Sequence, residues 1–271
     1  MSYATFTRQR KQSVFRRSIM KVFRILFVVI LYCTSSFSNP STARFDWNFD
    51  IPQSPDKEGQ LLFRKGYIAS YNNATKTPYW VAWRLTAEHS DGEIPRPGAA
   101  FHEDPDVPMP RATNDDYRGS GWSRGHMCPA GDNKWDYDAM YESFLLTNVC
   151  PQNANLNSGV WNQIEISCRQ WAVKYGELDI VCGPIYYNQE HDTIGHNKVV
   201  VPEAFFKVII CLKGTPKGIG FICKNTDGNK KKDVYVNSIQ QIERITKLTF
   251  FPHMNPKIAK QVKSQADLSA W

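Results

Sequence analysis

Between Ser158 and Gly176 apolar residues recur at Val160, Trp161, Ile164, Cys168, Trp171 and Tyr175, the spacing of a helix with one buried face. A helix of that kind is stable only when another element covers the face. The flanking sequence supplies strands to do so. Tyr67–Tyr71 and Tyr79–Thr86, separated by Asn72-Asn73-Ala74-Thr75-Lys76, are rich in aromatic and β-branched residues and predict a hairpin. Leu178–Tyr187, Ala204–Lys213 and Gly218–Lys224 predict further strands, the last two joined through Gly214-Thr215-Pro216-Lys217. Ile239, Ile242 and Ile245 mark one face of a second helix, over 238–247. Asn157 stands where an N-cap of the first helix belongs, and Gly176 where a C-terminal cap belongs. Strands before, between and after helices imply one α+β domain over residues 39–271, a mixed or antiparallel central sheet flanked by helices.

The formal net charge of +7 invites a polyanion-binding reading, so its location matters. Residues 1–38 hold Arg8, Arg10, Lys11, Arg16, Arg17, Lys21 and Arg24 and no acid. Without these seven, 26 cations face 26 acids, and the remainder is formally neutral. Any polyanion must therefore be held by a local cluster in a cleft. Residues 1–38 themselves run from a basic stretch through the apolar segment Val22–Cys33 to Thr34-Ser35-Ser36-Phe37-Ser38. That order reads as a secretory signal, too short to be a membrane span of about 20 residues, and implies a secreted or periplasmic product with no stable membrane association. The alternative is a mitochondrial presequence, given the arginines and the lack of acids. Cys33 falls in this leader; Cys128, Cys150, Cys168, Cys182, Cys211 and Cys223 follow it without paired zinc-site spacing. Cys211 and Cys223 flank Lys217 symmetrically, which would let them bridge across a hairpin centred there, the alternative being buried thiols.

Two segments carry the chemistry. One is Ser123-Arg124-Gly125-His126-Met127-Cys128-Pro129; the other is Thr147-Asn148-Val149-Cys150-Pro151-Gln152 with Leu156-Asn157 through Glu165. Hydrolysis of a phosphodiester needs a base, a cation for the developing charge, and a grip on phosphate. A histidine, with an ordinary pKa of ~6.5, can take a proton from water near neutrality. A hard divalent ion accepts an asparagine carbonyl as ligand when water and phosphate fill its other positions. An arginine can make a bidentate contact to the phosphate. Asn157, Trp161, Glu165 and Arg169 are spaced four apart, so their side chains can lie along neighbouring turns.

The pattern Arg124-Gly125-His126, then Leu156-Asn157-x-x-x-Trp161-x-x-x-Glu165, resembles the DNA/RNA non-specific endonucleases of the ββα-metal (His-Me finger) class. The resemblance runs from about Tyr67 to His253 and takes in Asn148-Val149-x-Pro151-Gln152, Val181–Tyr186 and Val201–Ile209. It implies an endonuclease that cuts DNA and RNA through their backbone phosphates without sequence preference, with Mg²⁺ as cofactor and Mn²⁺ as a substitute. It places the general base at His126 and the direct metal ligand at Asn157. Glu165 matches the acid holding metal-bound water, Arg124 the arginine of the histidine motif, Asn148 a supporting amide, and Arg169 a further site arginine. Arg96, in the long polar segment 87–125, is the counterpart of another phosphate-contacting arginine. A homodimer is a further expectation. The family motif usually carries Asp where this chain has Ser123, which keeps an acceptor oxygen but removes a charge beside the histidine loop.

Each residue also has a plainer reading. Asn157 could serve only as a helix cap, Asn148 could only satisfy backbone groups, and Glu165 with Arg169 could form a surface ion pair. Trp161 and Trp171 read as core, and Asp227-Gly228-Asn229 with Lys230-Lys231-Lys232 as a solvated turn. Rival functions are an exported nucleic-acid-binding protein, catalytically impaired at Ser123, and a phosphodiesterase acting on small diesters.

Overall fold

A computed structural model describes residues 49–56, 58–96 and 101–271, all within one compact unit, Asn48–Trp271. The leader and Cys33 lie outside the described residues. Among the latter, no helix is long and apolar enough to cross a membrane.

The centre is a seven-stranded antiparallel sheet in the order β1-β2-β3-β6-β9-β10-β11. These strands are β1 Gln60–Phe63, β2 Ile68–Asn72, β3 Thr77–Thr86, β6 Glu177–Ile185, β9 Ala204–Cys211, β10 Lys217–Lys224 and β11 Val236–Asn237. Two two-stranded sheets stand apart: β4 Ser123–His126 with β5 Val149–Gln152, and β7 Thr193–Ile194 with β8 Val199–Val200. The predicted strands are present with shifted ends, and β1 and β11 are additional. The long segment 87–125 is not structureless: it holds the short helices α1 Ala87–Ser90 and α2 Asn114–Tyr117, and it enters β4 at its end.

The chain leaves β5 through Asn153 and runs into two helical pieces joined across a kink at Gly159. A first turn, Ala154–Leu156, passes into a wide π-turn, Asn157–Trp161, and then into the helix α4, Asn162–Tyr175. Here α3 denotes Tyr137–Ser143, α5 Ile239–Thr246 and α6 Pro256–Ser264. Val160, Trp161, Ile164 and Cys168 are buried as the periodicity predicts, and Trp171 packs at the margin. They meet Trp83, Phe205, Ile209, Ile219 and Phe221 in the main core. Side chains alternate across a strand, so the opposite sheet face takes the other set of residues. There Phe206 meets Phe250, and Gly218 and Gly220 let Ile239, Ile242 and Val262 of α5 and α6 come close.

Two local expectations change. The helix starts four residues early because Asn153, not Asn157, is its cap: the Asn153 side-chain oxygen accepts from the Asn155 and Leu156 amides. Gly176 ends it with φ 89°, a conformation that favours glycine. The β9–β10 hairpin is present, but Cys211 pairs with Lys217, while Cys223 faces Phe205 six residues away along β9. Its turn is centred on Gly214, so no bridge between the two cysteines can close. All six cysteines of the described residues are buried free thiols.

Candidate active site

β4, β5 and the helix that follows form a ββα unit against the main sheet. His126 ends β4, opposite Val149 of β5. The residues after it are held by Asn148, which is fully buried. The Asn148 side chain accepts from the Cys128 amide at 2.9 Å and donates to the carbonyls of Cys128 and Ser143, both at 2.8 Å. Its hydrogen bonds therefore all go to backbone, and it serves to fix the chain beyond His126.

The imidazole of His126 packs between Phe101 and Phe144, with ring centroids 4.9 and 5.0 Å away. Its Nε2 is enclosed and has no hydrogen-bond partner. The residue keeps part of its surface open, yet burial of the ring, helped by the Arg96 cation, pushes its pKa down to about 3. Neutral imidazole is thus the resting form, the form a base requires. Arg96 itself is exposed; its charge acts on both His126 and Glu165, so it lies on the site's side of the long segment.

Arg124 is anchored sideways. Its Nε donates to Asn114 Oδ1 at 2.9 Å and its Nη2 to the Asn114 carbonyl at 2.8 Å, and its guanidinium lies 5.2 Å from the centre of the Tyr117 ring. One terminal nitrogen, Nη1, has no part in these bonds. Ser123 opens β4 opposite Gln152.

Asn157 has helical backbone angles, and its backbone N–H donates to the Asn153 carbonyl at 2.9 Å, whereas its side-chain amide makes no hydrogen bond to another described residue; the capping alternative for it falls with the Asn153 cap. Glu165, two turns on, lies 3.8 Å from Lys207 Nζ. Burial outweighs that cation and lifts the Glu165 carboxyl to about 7. Glu165 does not pair with Arg169. Arg169 instead donates to buried Asp132 at 2.9 Å, whose other oxygen accepts from Trp83 Nε1 at 3.1 Å. Burial raises the Asp132 carboxyl, and Arg169 pulls it back.

Lys207 and Asp132 were not singled out by sequence. Lys207 is fully buried, without a hydrogen bond at Nζ, 4.6 Å from the Trp161 ring centre and 5.3 Å from that of Trp83. A signal existed: one charged residue inside the apolar run Ala204–Cys211, in phase with Phe205 and Ile209 on the site-facing side. No comparable signal marked Asp132.

The uncommitted oxygen of Asn157 and the carboxylate of Glu165, both carried by the helical segment after β5, are oxygen donors of the type that a hydrated Mg²⁺ takes. The set fits the ion expected from the sequence, and its shortage of protein ligands leaves room for water and phosphate oxygens.

The model for DNA/RNA non-specific endonucleases matches residues 48–257. The chain belongs to that family. It is similar to the mitochondrial nuclease EXOG of Xenopus laevis, 37% identical over 70% of this chain and 57% of that protein. It is also similar to human mitochondrial endonuclease G, 33% identical over 72% of this chain and 70% of that one. The chain thus spans less than two thirds of the EXOG length. Among solved structures, that of the EndoG/EndoGI complex, which describes the mechanism of EndoG inhibition, superposes with a TM-score of 0.71 and 28% identity. It covers 76% of this chain and 90% of the other. The α+β architecture with a ββα site unit is therefore that of the endonuclease family.

Proposed function

We propose that this family member is a Mg²⁺-dependent endonuclease that hydrolyses phosphodiester bonds of DNA and RNA without sequence preference, with Mn²⁺ as a substitute ion. The observation that carries the reading is the neutral, unpartnered imidazole of His126 in the same ββα unit as the uncommitted side-chain oxygen of Asn157 and the carboxylate of Glu165, which faces Lys207.

In this reading His126 takes the proton of the attacking water. With Nε2 enclosed, Nδ1 is the nitrogen left to accept it, the tautomer being assigned from that environment. Asn157 would hold the metal through its side-chain oxygen, and Glu165 would orient water beside it. When bound, the ion stabilises charge on the phosphorane and the leaving 3′-oxygen. Arg124 keeps Nη1 for a phosphate oxygen while Asn114 fixes its plane, and Arg96 adds charge from the loop. Asn148 positions His126 by holding Cys128 and Ser143. Arg169 acts from behind, neutralising Asp132. The donors address backbone phosphate, not base edges, which fits cleavage without sequence preference.

Plasmid nicking with Mg²⁺ and with EDTA tests this. Cleavage that requires the ion supports the reading, and its absence in folded protein favours a nucleic-acid-binding protein impaired at Ser123. Localisation is part of the same proposal. The order of residues 1–38 supports export, and the names of the EXOG and endonuclease G relatives, both mitochondrial, support the alternative. A reporter fused to residues 1–38 separates the two. The homodimer remains an expectation for a mass measurement in solution.

A further inference from the structure

The segment Asp227-Gly228-Asn229, which sequence alone read as an idle turn, reaches the helix that carries Asn157. Asn229 Oδ1 accepts from the Val160 amide at 3.0 Å, and its Nδ2 donates to the Asn155 carbonyl at 2.7 Å. These are a donor and an acceptor that a helix would pair internally. The side chain of Asn229 thus stands in the ladder, and the turn there is the π-turn Asn157–Trp161. Side-chain insertion of this sort is a recognised cause of a helix irregularity. Gly159 makes room for it, with φ −95° and ψ −117° and the position of a Cβ only 2.5 Å from Asn229 Nδ2.

The wide turn has a geometric consequence. A regular α-helix rotates about 100° per residue, so residues eight apart stand about 80° out of line. The kink at Gly159 interrupts that rotation, so the direction of Asn157 relative to Glu165 is set by the kink and not by the helical period. Asn157 and Glu165 are eight apart, and the π-turn lies between them.

Asn229 is itself held. The Tyr235 hydroxyl accepts from the Lys230 amide at 3.0 Å and donates to the Gly228 carbonyl at 2.8 Å, pinning the backbone on either side of Asn229. Four residues back, the buried Asn225 accepts from the Asn153 amide and donates to the Pro151 carbonyl, so the same loop holds the start of the helical segment.

We propose that Asn229, braced by Tyr235 and accommodated by Gly159, is a positioning residue that holds the kinked turn in place and so fixes the direction of Asn157 relative to Glu165 for one divalent ion. This rests on the metal reading of Asn157 given above. Without the insertion, the Val160 amide would bond within the helix, and Asn157 would rotate away from Glu165.

The test is Mn²⁺ binding to the purified protein without substrate, followed by the paramagnetic signal of free Mn²⁺, beside thermal melting and plasmid binding in EDTA. Asn229→Ala should weaken Mn²⁺ binding by about tenfold, the low end for residues that orient a metal ligand, with melting and plasmid binding little changed. In turnover, the half-saturating Mg²⁺ concentration should rise while kcat at saturating ion is largely kept. Gly159→Ala should act in the same direction. The double variant should be no weaker than the weaker single one, since both relax one turn. Tyr235→Phe, which keeps Asn229 but frees its loop, should give a smaller loss and serves if Asn229→Ala does not fold. Unchanged Mn²⁺ affinity in a folded Asn229→Ala or Tyr235→Phe protein, or losses that multiply in the double variant, would overturn the clamp. Wild-type protein that binds no Mn²⁺ would instead overturn the metal reading beneath it.

Discussion

Arg169 places its guanidinium 2.9 Å from the Asp132 carboxylate and makes no ion pair with Glu165, four residues before it on the same helix. Glu165 faces Lys207 from across the core instead. Two charges that looked like one local pair thus belong to two separate tertiary contacts, and they should fail in different ways.

Arg169→Leu leaves Asp132 buried without its cation, which typically costs about 3–5 kcal/mol. Urea unfolding should show the loss, and Asp132→Asn in the same chain should recover much of it. An unchanged midpoint with abolished turnover would return Arg169 to direct phosphate contact.

His126→Ala should lower plasmid hydrolysis by about 10²–10⁴-fold, the usual worth of general-base help. Plasmid binding should be kept, because the ring makes no hydrogen bond that holds the fold. Turnover equal to wild type would remove His126 from the role of base.

Asn157→Ala and Asn153→Ala separate metal ligation from capping. Asn153 is the cap, so its loss should cost about 1 kcal/mol of stability with metal dependence kept. Asn157→Ala should abolish Mg²⁺-dependent cleavage at nearly unchanged stability. The reverse pattern would restore the capping role to Asn157.

The depressed His126 pKa has a sign that unfolding can read. The folded form excludes a proton down to about pH 3, while the unfolded chain takes it up near its ordinary value of ~6.5. The contribution is therefore present above about pH 6.5 and is lost as pH falls towards 3. Stability of the wild type relative to His126→Gln should decline across that window. A constant difference between the two would mean that the imidazole titrates normally.

Cys211 and Cys223 should take up the same amount of alkylating reagent, after unfolding, with and without prior reduction. Label on either that depends on the reductant would contradict the β9–β10 register and its turn at Gly214.

Much of this was legible in the order of residues. The period of Val160, Trp161, Ile164 and Cys168 required a buried helix face, and β-branched runs with a turn between them required the β2–β3 and β9–β10 hairpins. The motif around His126 and the one from Asn148 to Glu165 identified the ββα unit, because short-range chain order decides which residues end a strand or begin a helix. Tertiary structure decided which partners those residues take. Asn153 became the cap and Asn229 entered the ladder of the helix; Lys207 turned inward beside Trp161, and Asp132 claimed Arg169. The Asn153 cap is local, while the others are contacts made after the chain has closed on itself, between groups dozens of residues apart. No periodicity records such contacts, since what selects them is burial, which leaves a polar group only the partner that packing brings within reach.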